Sequence, residues 1–170
     1  MEKNLHDIKV AKVGEDFFIK INGEGTLDNS FRLKDFFRQM MVRGFKKYTL
    51  CMEDCPCMDS TFLGVLIGIS LRLKEKFDTG LKLTGVHKYN LDLLTTLSVA
   101  HLFNISCKKI SFATKSKSLE RKKDISTLQM AKHIKKAHGN LIKTGPICKI
   151  KFIDVQKLLS KEIKELKYPS

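Results

Sequence analysis

Residues 57–68 constrain the fold of this chain more than any other segment. They begin at the end of a strand-like stretch, pass through a small polar turn and continue as an apolar helix. The turn, Asp59-Ser60-Thr61, places a carboxylate and two hydroxyls at a predicted helix N-terminus, where backbone N–H groups and the helix dipole favour an added anion. Ser60 can therefore serve as a helix cap or as a phosphorylation switch, and the residues alone leave both interpretations open.

The segments around this turn alternate between strand and helix patterns. Alternating apolar residues predict strands at 8–13 and 17–21, and buried apolar runs predict further strands at 48–52, 81–86 and 106–112. Helical spacing predicts one helix that follows the caps Asp28-Asn29 and stops at Gly44, a second at 61–77 and a third at 91–103. The order β-β-α-β-α-β-α-β predicts an α/β sheet with helices packed against it.

The C-terminal third differs from the rest in charge. The net charge of the chain is +14, yet residues 1–112 carry 17 Lys/Arg against 13 Asp/Glu, whereas residues 113–170 carry 15 against 5. Residues 114–123 have few apolar side chains and read as a linker or an exposed helix start, and apolar spacing predicts helices at 125–137 and 150–166, punctuated by Gly139-Asn140 and Gly145-Pro146. The sequence thus predicts a domain at 1–112 and a basic helical hairpin at 113–170.

Composition and motif content argue against several function classes. The longest apolar run, 62–69, is far shorter than the roughly 20 residues that span a bilayer, and residues 1–17 do not resemble a signal peptide, so we expect a soluble, cytoplasmic protein. The five cysteines are odd in number and lack zinc-site spacing, which favours reduced thiols without a metal. No nucleophile–base–orienter set is visible, and we expect neither an enzyme nor a cofactor.

Two histidines and two glycines invite other interpretations. His133 and His138 are five residues apart, on different parts of a helix face, and no carboxylate or cysteine at ligand spacing accompanies them, so a metal site is not predicted. Gly64 and Gly68 suggest a phosphate-binding loop but lie inside a predicted helix. We expect these glycines to allow close packing of that helix against the sheet.

The pattern resembles the STAS domain, in particular the bacterial anti-sigma factor antagonists. The resemblance rests on Met58-Asp59-Ser60-Thr61 leading into Leu63-Gly64-Val65-Leu66, and on Gly25-Thr26-Leu27-Asp28 between the second strand and the first helix. It covers about residues 5–112. It implies a STAS-like mixed sheet of about five strands with helices packed against it, to which this chain adds its C-terminal helical extension.

The resemblance also implies a function. In that family the serine after the aspartate is phosphorylated by a kinase that is itself an anti-sigma factor; the unmodified antagonist binds this partner and frees the sigma factor, and the phosphorylated form does not bind. Ser60 would be the acceptor, and an anti-sigma factor serine kinase and a phosphatase would be the partners. The partner surface would comprise Gly25, Thr26, Leu27, Asp28, Asp59, Ser60, Thr61 and Phe62.

Two departures from the family leave alternatives open. Phe62 stands where the family usually has glycine, so it either alters the surface beside the acceptor or packs into a local hydrophobic patch. The extension is absent from a minimal antagonist. The alternatives are a STAS module that is never phosphorylated, in a signalling or transport assembly, and a nucleic-acid-binding protein that uses the eight positive charges of residues 115–136. Because the extension lacks interleaved aromatics and lysine outnumbers arginine, a solvated charged face is the favoured interpretation of these charges.

Overall fold

The computed structural model describes residues 6–111 and 115–168, which fold into a six-stranded mixed sheet with helices. The elements follow the predicted alternation and end in a pair of helices. They are β1 (Asp7–Val13), β2 (Asp16–Asn22), α1 (Leu27–Val42), β3 (Lys47–Asp54), α2 (Ser60–Phe77), β4 (Leu81–Thr84), α3 (Lys88–Thr96), a 3₁₀ turn (Ala100–Leu102), β5 (Phe103–Ser106), β6 (Lys117–Ser118), α4 (Thr127–Lys143) and α5 (Pro146–Lys167).

The sheet has the order β5-β4-β3-β2-β1-β6. A tight turn at Gly14 joins β1 to the antiparallel β2, and β2, β3, β4 and β5 are mutually parallel. Each parallel step needs a crossover, which α1, α2 and α3 supply. The carboxyl ends of β2 and β3 therefore lie side by side, and the loops that leave them meet at one edge of the sheet.

Helix α2 is buried on more than one side. Phe62, Leu63, Leu66 and Ile67 have no exposed surface and belong to the main hydrophobic core with the inward residues of the strands. A helix that is apolar around most of its circumference must be covered on more than its sheet-facing side. The second cover is α4, which packs along α2 and carries α5 on its own outer face.

The prediction of a strand at 106–112 is wrong in its bounds. The last parallel strand is Phe103–Ser106, in which Phe103 pairs with Leu81 and is buried. Because Leu102-Phe103 also fits the apolar pattern of a helix end, the predicted strand starts three residues after the observed one. Phe112 lies outside the described residues. The sixth strand, β6, has two exposed residues and pairs with β1 through its backbone, so no apolar pattern marked it.

The extension is helical as predicted, with different bounds. Helix α4 begins with a capping box of Ser126 and Gln129 and runs through Gly139-Asn140, which does not interrupt it. The break between the helices is at Gly145, whose φ of 156° is in the region that glycine tolerates. Thr114 and the proposed boundary at 112/113 lie outside the described residues, and the division into two domains stays a prediction.

Gly64 and Gly68 face the extension, which corrects the expectation that they pack against the sheet. A Cβ on Gly64 would lie 2.3 Å from the Ala137 carbonyl oxygen, and one on Gly68 would lie 2.2 Å from the Asn140 amide nitrogen. The same Asn140 amide donates a 3.0 Å hydrogen bond to the Gly64 carbonyl. Gly64 thus lets the α4 backbone approach α2 more closely than any side chain would permit, and Gly68 leaves room for the Asn140 side chain.

A buried histidine also holds α4 on the first helix. His133 is 3% exposed, stacks on Phe31 at a centroid distance of 3.7 Å, and places its Nε2 2.7 Å from the Ser30 hydroxyl. Its Nδ1 lies 3.5 Å from the ammonium nitrogen of Lys34. Burial, followed by the positive charge of Lys34, lowers the pKa of His133 to about 4, against an opposing contribution from Asp35. His133 is therefore neutral in the folded protein at pH 7.

We expect Gly64→Ala to loosen the contact between α2 and α4. A methyl group at this position collides with the backbone of α4. Such overpacking lowers the free energy of unfolding by about 1–3 kcal/mol, whereas the helix propensity of alanine raises it by about 1 kcal/mol. The expected result is faster hydrogen exchange in α4 and a lower melting temperature. Gly139→Ala is the matched control: its Cβ would meet only the flexible Gln156 amide at 3.4 Å, so stability should stay equal or rise. Unchanged exchange in Gly64→Ala would contradict the close approach.

We also expect the protein to lose stability as the pH falls from about 6.5 to 4. Because the pKa of His133 is depressed in the folded state, the unfolded chain takes up a proton in this window that the native protein does not. The loss attributable to this residue is on the order of 3 kcal/mol at pH 4. Denaturant titrations at several pH values give the free energy of unfolding as a function of pH. This free energy should fall less steeply with decreasing pH in His133→Gln than in the wild type, whereas His101→Gln, at an exposed position, should follow the wild type. Equal slopes in all three proteins would refute this role of His133.

Candidate functional site

The candidate site lies where the loops after β2 and β3 meet. The Gly25 N–H donates to the Cys57 carbonyl at 2.9 Å, and the Asp59 N–H donates to the Gly25 carbonyl at 2.8 Å. Gly25 and Met58 form an isolated parallel bridge, so the two loops continue the parallel pairing of their strands for one more step. The structure thus brings together the two segments on which the family resemblance rests.

The Asp59 carboxylate joins the N-termini of two helices. Its Oδ1 accepts a 2.7 Å hydrogen bond from the Phe62 N–H and caps α2, and its Oδ2 accepts a 2.9 Å bond from the Leu27 N–H at the start of α1. Asp28-Asn29 does not supply the cap predicted for α1, because that helix already begins at Leu27. The residue before it, Thr26, makes no side-chain capping bond. One carboxylate therefore satisfies orphan donors on both helices.

Since Asp59 is the cap, Ser60 is the first residue of α2 and its hydroxyl is free to bind elsewhere. This hydroxyl is half-buried and lies 3.0 Å from the Nε2 of His138 on α4. The His138 ring is 5% exposed and stacks on Phe152 of α5 at a centroid distance of 5.4 Å. Burial lowers the pKa of His138, and the negative charge of Asp59 opposes this shift.

Phe62 points into the core, not toward the predicted partner surface. Its side chain has no exposure, and a Cβ on Gly25 would lie 2.7 Å from its ring. The structure therefore supports the alternative in which Phe62 packs into a hydrophobic patch. It also explains Gly25, because any side chain at this position would overlap the aromatic ring.

The other predicted surface residues differ in accessibility. Asp28 and Asp59 are exposed, and Thr26, Leu27 and Ser60 are half-buried. Thr61 is 7% exposed and faces inward. The accessible part of the predicted surface is thus an acidic rim around the Ser60 hydroxyl, with α4 on one side of it.

The Ser60–His138 pair has only two of the three parts of a nucleophilic triad. Among the described residues nothing hydrogen-bonds to the His138 Nδ1, so no group fixes the imidazole as a general base. In the same part of the chain, no group of three His, Cys, Asp or Glu side chains is arranged to hold a metal ion. No helix of residues 6–111 and 115–168 is long and apolar enough to cross a membrane.

His133 and His138 are the residues whose role the sequence did not indicate. The apolar residues at helical spacing in this segment are Leu128, Ala131 and Ile134, whereas the buried face of α4 comprises Ala131, His133, Ala137, His138 and Leu141. A polar residue on a buried face is recognised only when its partner is known. Each histidine pairs with a serine more than 75 positions earlier in the chain.

Comparisons with known proteins give a likeness of fold. No protein-family model matches the chain, and no curated protein matches it in sequence. Among solved structures, it is similar to a protein from Thermotoga maritima that is provisionally described as an anti-sigma factor antagonist. The likeness has 20% identity and a TM-score of 0.52, and covers 56% of this chain and 82% of the other. The predicted resemblance is thereby confirmed for the fold: this chain contains a STAS-like α/β domain and continues into a helical extension.

Proposed function

We propose that this chain is a cytoplasmic interaction module of the anti-sigma factor antagonist type, switched by phosphorylation of Ser60. The observation that carries the proposal is the position of the Ser60 hydroxyl at the first turn of α2, beside a carboxylate that ties α2 to the Gly25–Asp28 loop. The likeness of fold to the Thermotoga protein agrees with this proposal. The partner would be an anti-sigma factor with serine kinase activity, and a phosphatase would reset the switch.

The positive N-terminus of α2 would offset part of the charge of a phosphate on Ser60, although the adjacent Asp59 carboxylate already binds the N-termini of both helices. Two helix N-termini converge on Asp59, and each carries a partial positive charge of about half an elementary charge. A phosphoserine adds about −1.5 to −2 charges and three acceptor oxygens. The domain itself would tolerate that group, whereas a partner docked on the acidic rim of Asp28 and Asp59 would meet added negative charge and bulk.

The extension would act as a cover for this switch. The Ser60 hydroxyl lies 3.0 Å from the His138 Nε2, so phosphorylation would replace the hydroxyl proton with a bulky, charged group beside α4. In this proposal, docking of α4 and phosphorylation of Ser60 oppose one another. In this proposal the closed form is resistant to the kinase, and opening of the extension exposes both the hydroxyl and the adjoining surface of α2.

We expect phosphate on Ser60 when the protein is incubated with ATP and a serine kinase of the anti-sigma type encoded in the same genome, detected by mass spectrometry of the tryptic peptides. Ser60→Ala should abolish the modification, and Thr61→Ala should not, because Thr61 is buried. Ser116→Ala controls for modification of other serines. Phosphate confined to other sites would refute the switch.

Binding of the anti-sigma partner, measured by calorimetry, should depend on both Ser60 and the extension. Ser60→Asp adds a charge beside Asp59 and should weaken binding about tenfold or more, since like charges at an interface cost several kcal/mol. Gly64→Ala should strengthen binding because it loosens the covering helix, and Gly139→Ala should match the wild type. Binding that is indifferent to Ser60→Asp would instead favour the STAS module that works without phosphorylation.

A further inference from the structure

A second surface of the molecule collects positive charge where the extension meets the domain. A cavity of about 110 Å³ lies between α1, α2 and α4. Four cationic side chains line it: Lys34 and Arg38 from α1, Arg72 from α2 and Lys136 from α4. Its apolar wall includes Met41, Val65, Ile69 and Ala137, and none of the described residues that line it is a carboxylate.

These charges are poorly compensated within the described residues. Arg38 has an ion pair with Asp35 at 3.7 Å, but Asp35 also receives Lys122 at 3.1 Å. Lys34, Arg72 and Lys136 form no ion pair among residues 6–111 and 115–168. Lys34 and Lys136 both line the cavity, and burial followed by the charge of Lys136 lowers the pKa of Lys34, against an opposing contribution from Asp35. An anion in the cavity would offset these positive charges.

We propose that this cavity, named here the cationic cleft, binds a diphosphate group. A single phosphate carries about −1.5 to −2 charges, roughly half of what four cations can balance, and two linked phosphates come closer to the charge that remains after Asp35 is counted against Arg38. Two arginines and two lysines also provide the bidentate and point-charge donors that phosphate oxygens prefer. The apolar wall can accept an organic substituent, so the diphosphate is either the free inorganic ion or part of a small ester.

The bound anion would hold the extension closed. Three of the four cations belong to the STAS-like domain and Lys136 belongs to α4, so a shared diphosphate bridges the two parts of the chain. Occupancy of the cationic cleft should therefore protect α4 from hydrogen exchange. It should also slow the modification of Ser60, a consequence that rests on the proposed function, whereas binding itself does not.

Calorimetric titration of the full chain with inorganic diphosphate, and separately with ADP, tests the site. We expect one equivalent to bind, and Arg72→Ala and Lys136→Ala each to weaken binding about tenfold or more, as expected for loss of a charge-assisted contact. Both side chains are exposed, so these variants should fold. Lys149→Ala, an exposed lysine of α5 outside the cleft, should bind like the wild type. Hydrogen exchange in α4 should slow on addition of the ligand.

Each outcome distinguishes the possibilities. Tight binding of ADP but not of inorganic diphosphate, lost in Arg72→Ala, identifies an organic diphosphate as the ligand class and supports the cleft. Binding that is unchanged in both cleft variants, or that has several equivalents, reflects adventitious ions on a basic surface and overturns the proposal. Failure of both ligands while single-stranded RNA binds also overturns it, in favour of a polyanion surface. None of these results depends on whether Ser60 is phosphorylated.

Discussion

The carboxylate of Asp59 is the interaction on which the geometry of the candidate site depends. A helix N-terminus leaves several N–H groups without partners, and α1 and α2 both begin at this edge of the sheet. By accepting one bond from each, Asp59 fixes the distance between the two helices and holds the Gly25 loop against the loop after β3. Because Asp59 is the cap, Ser60 becomes the first helical residue and its hydroxyl is left available. Ser60 is therefore not the N-cap of α2, because Asp59, the residue before it, has that role.

The second constraint is the apolar character of α2. The sheet covers one side of this helix, and the remaining apolar surface would face water if α4 were absent. Gly64 lets the two backbones approach closely, and Gly68 makes room for the Asn140 side chain. Ala137, Leu141 and Phe152 complete the same core that the strands begin. The extension is therefore part of the hydrophobic core of the structure, even though its composition marks it as a separate, basic module. The positive charges of the extension lie mainly on its outer face, and its inner face packs into the core.

This difference explains what could be predicted from the sequence. The order of strands and helices, the helical form of the extension and the meeting of the two motif loops follow from periodicity, turn residues and the resemblance to a family. The docking of α4 does not, because it depends on pairs such as His133 with Ser30 and His138 with Ser60, whose members are far apart in the chain. The sequence does not predict strand β6 for a related reason: this strand contributes backbone hydrogen bonds and no buried side chain. The sequence leaves the position of Phe62 open, because a large aromatic next to a glycine motif suits a surface or a core equally well. The structure places its ring against Gly25, in the core.

An added negative charge would have opposite effects on the docking of α4 against α2, depending on whether it lies at Ser60 or in the cationic cleft. At the N-terminus of α2, the Ser60 oxygen contacts the buried imidazole of His138, and in the proposed switch an anion attached there would disfavour the docking of α4. Eight residues later, about 12 Å along the helix, Gly68 borders the cationic cleft, where a bound anion would favour closure by offsetting the positive charges of Lys34 and Lys136. The same rigid helix pair would thus be opened by a covalent phosphate at one end and closed by a bound one at the other. Since both effects act on a single docking equilibrium, each would reduce the apparent strength of the other, as linkage requires.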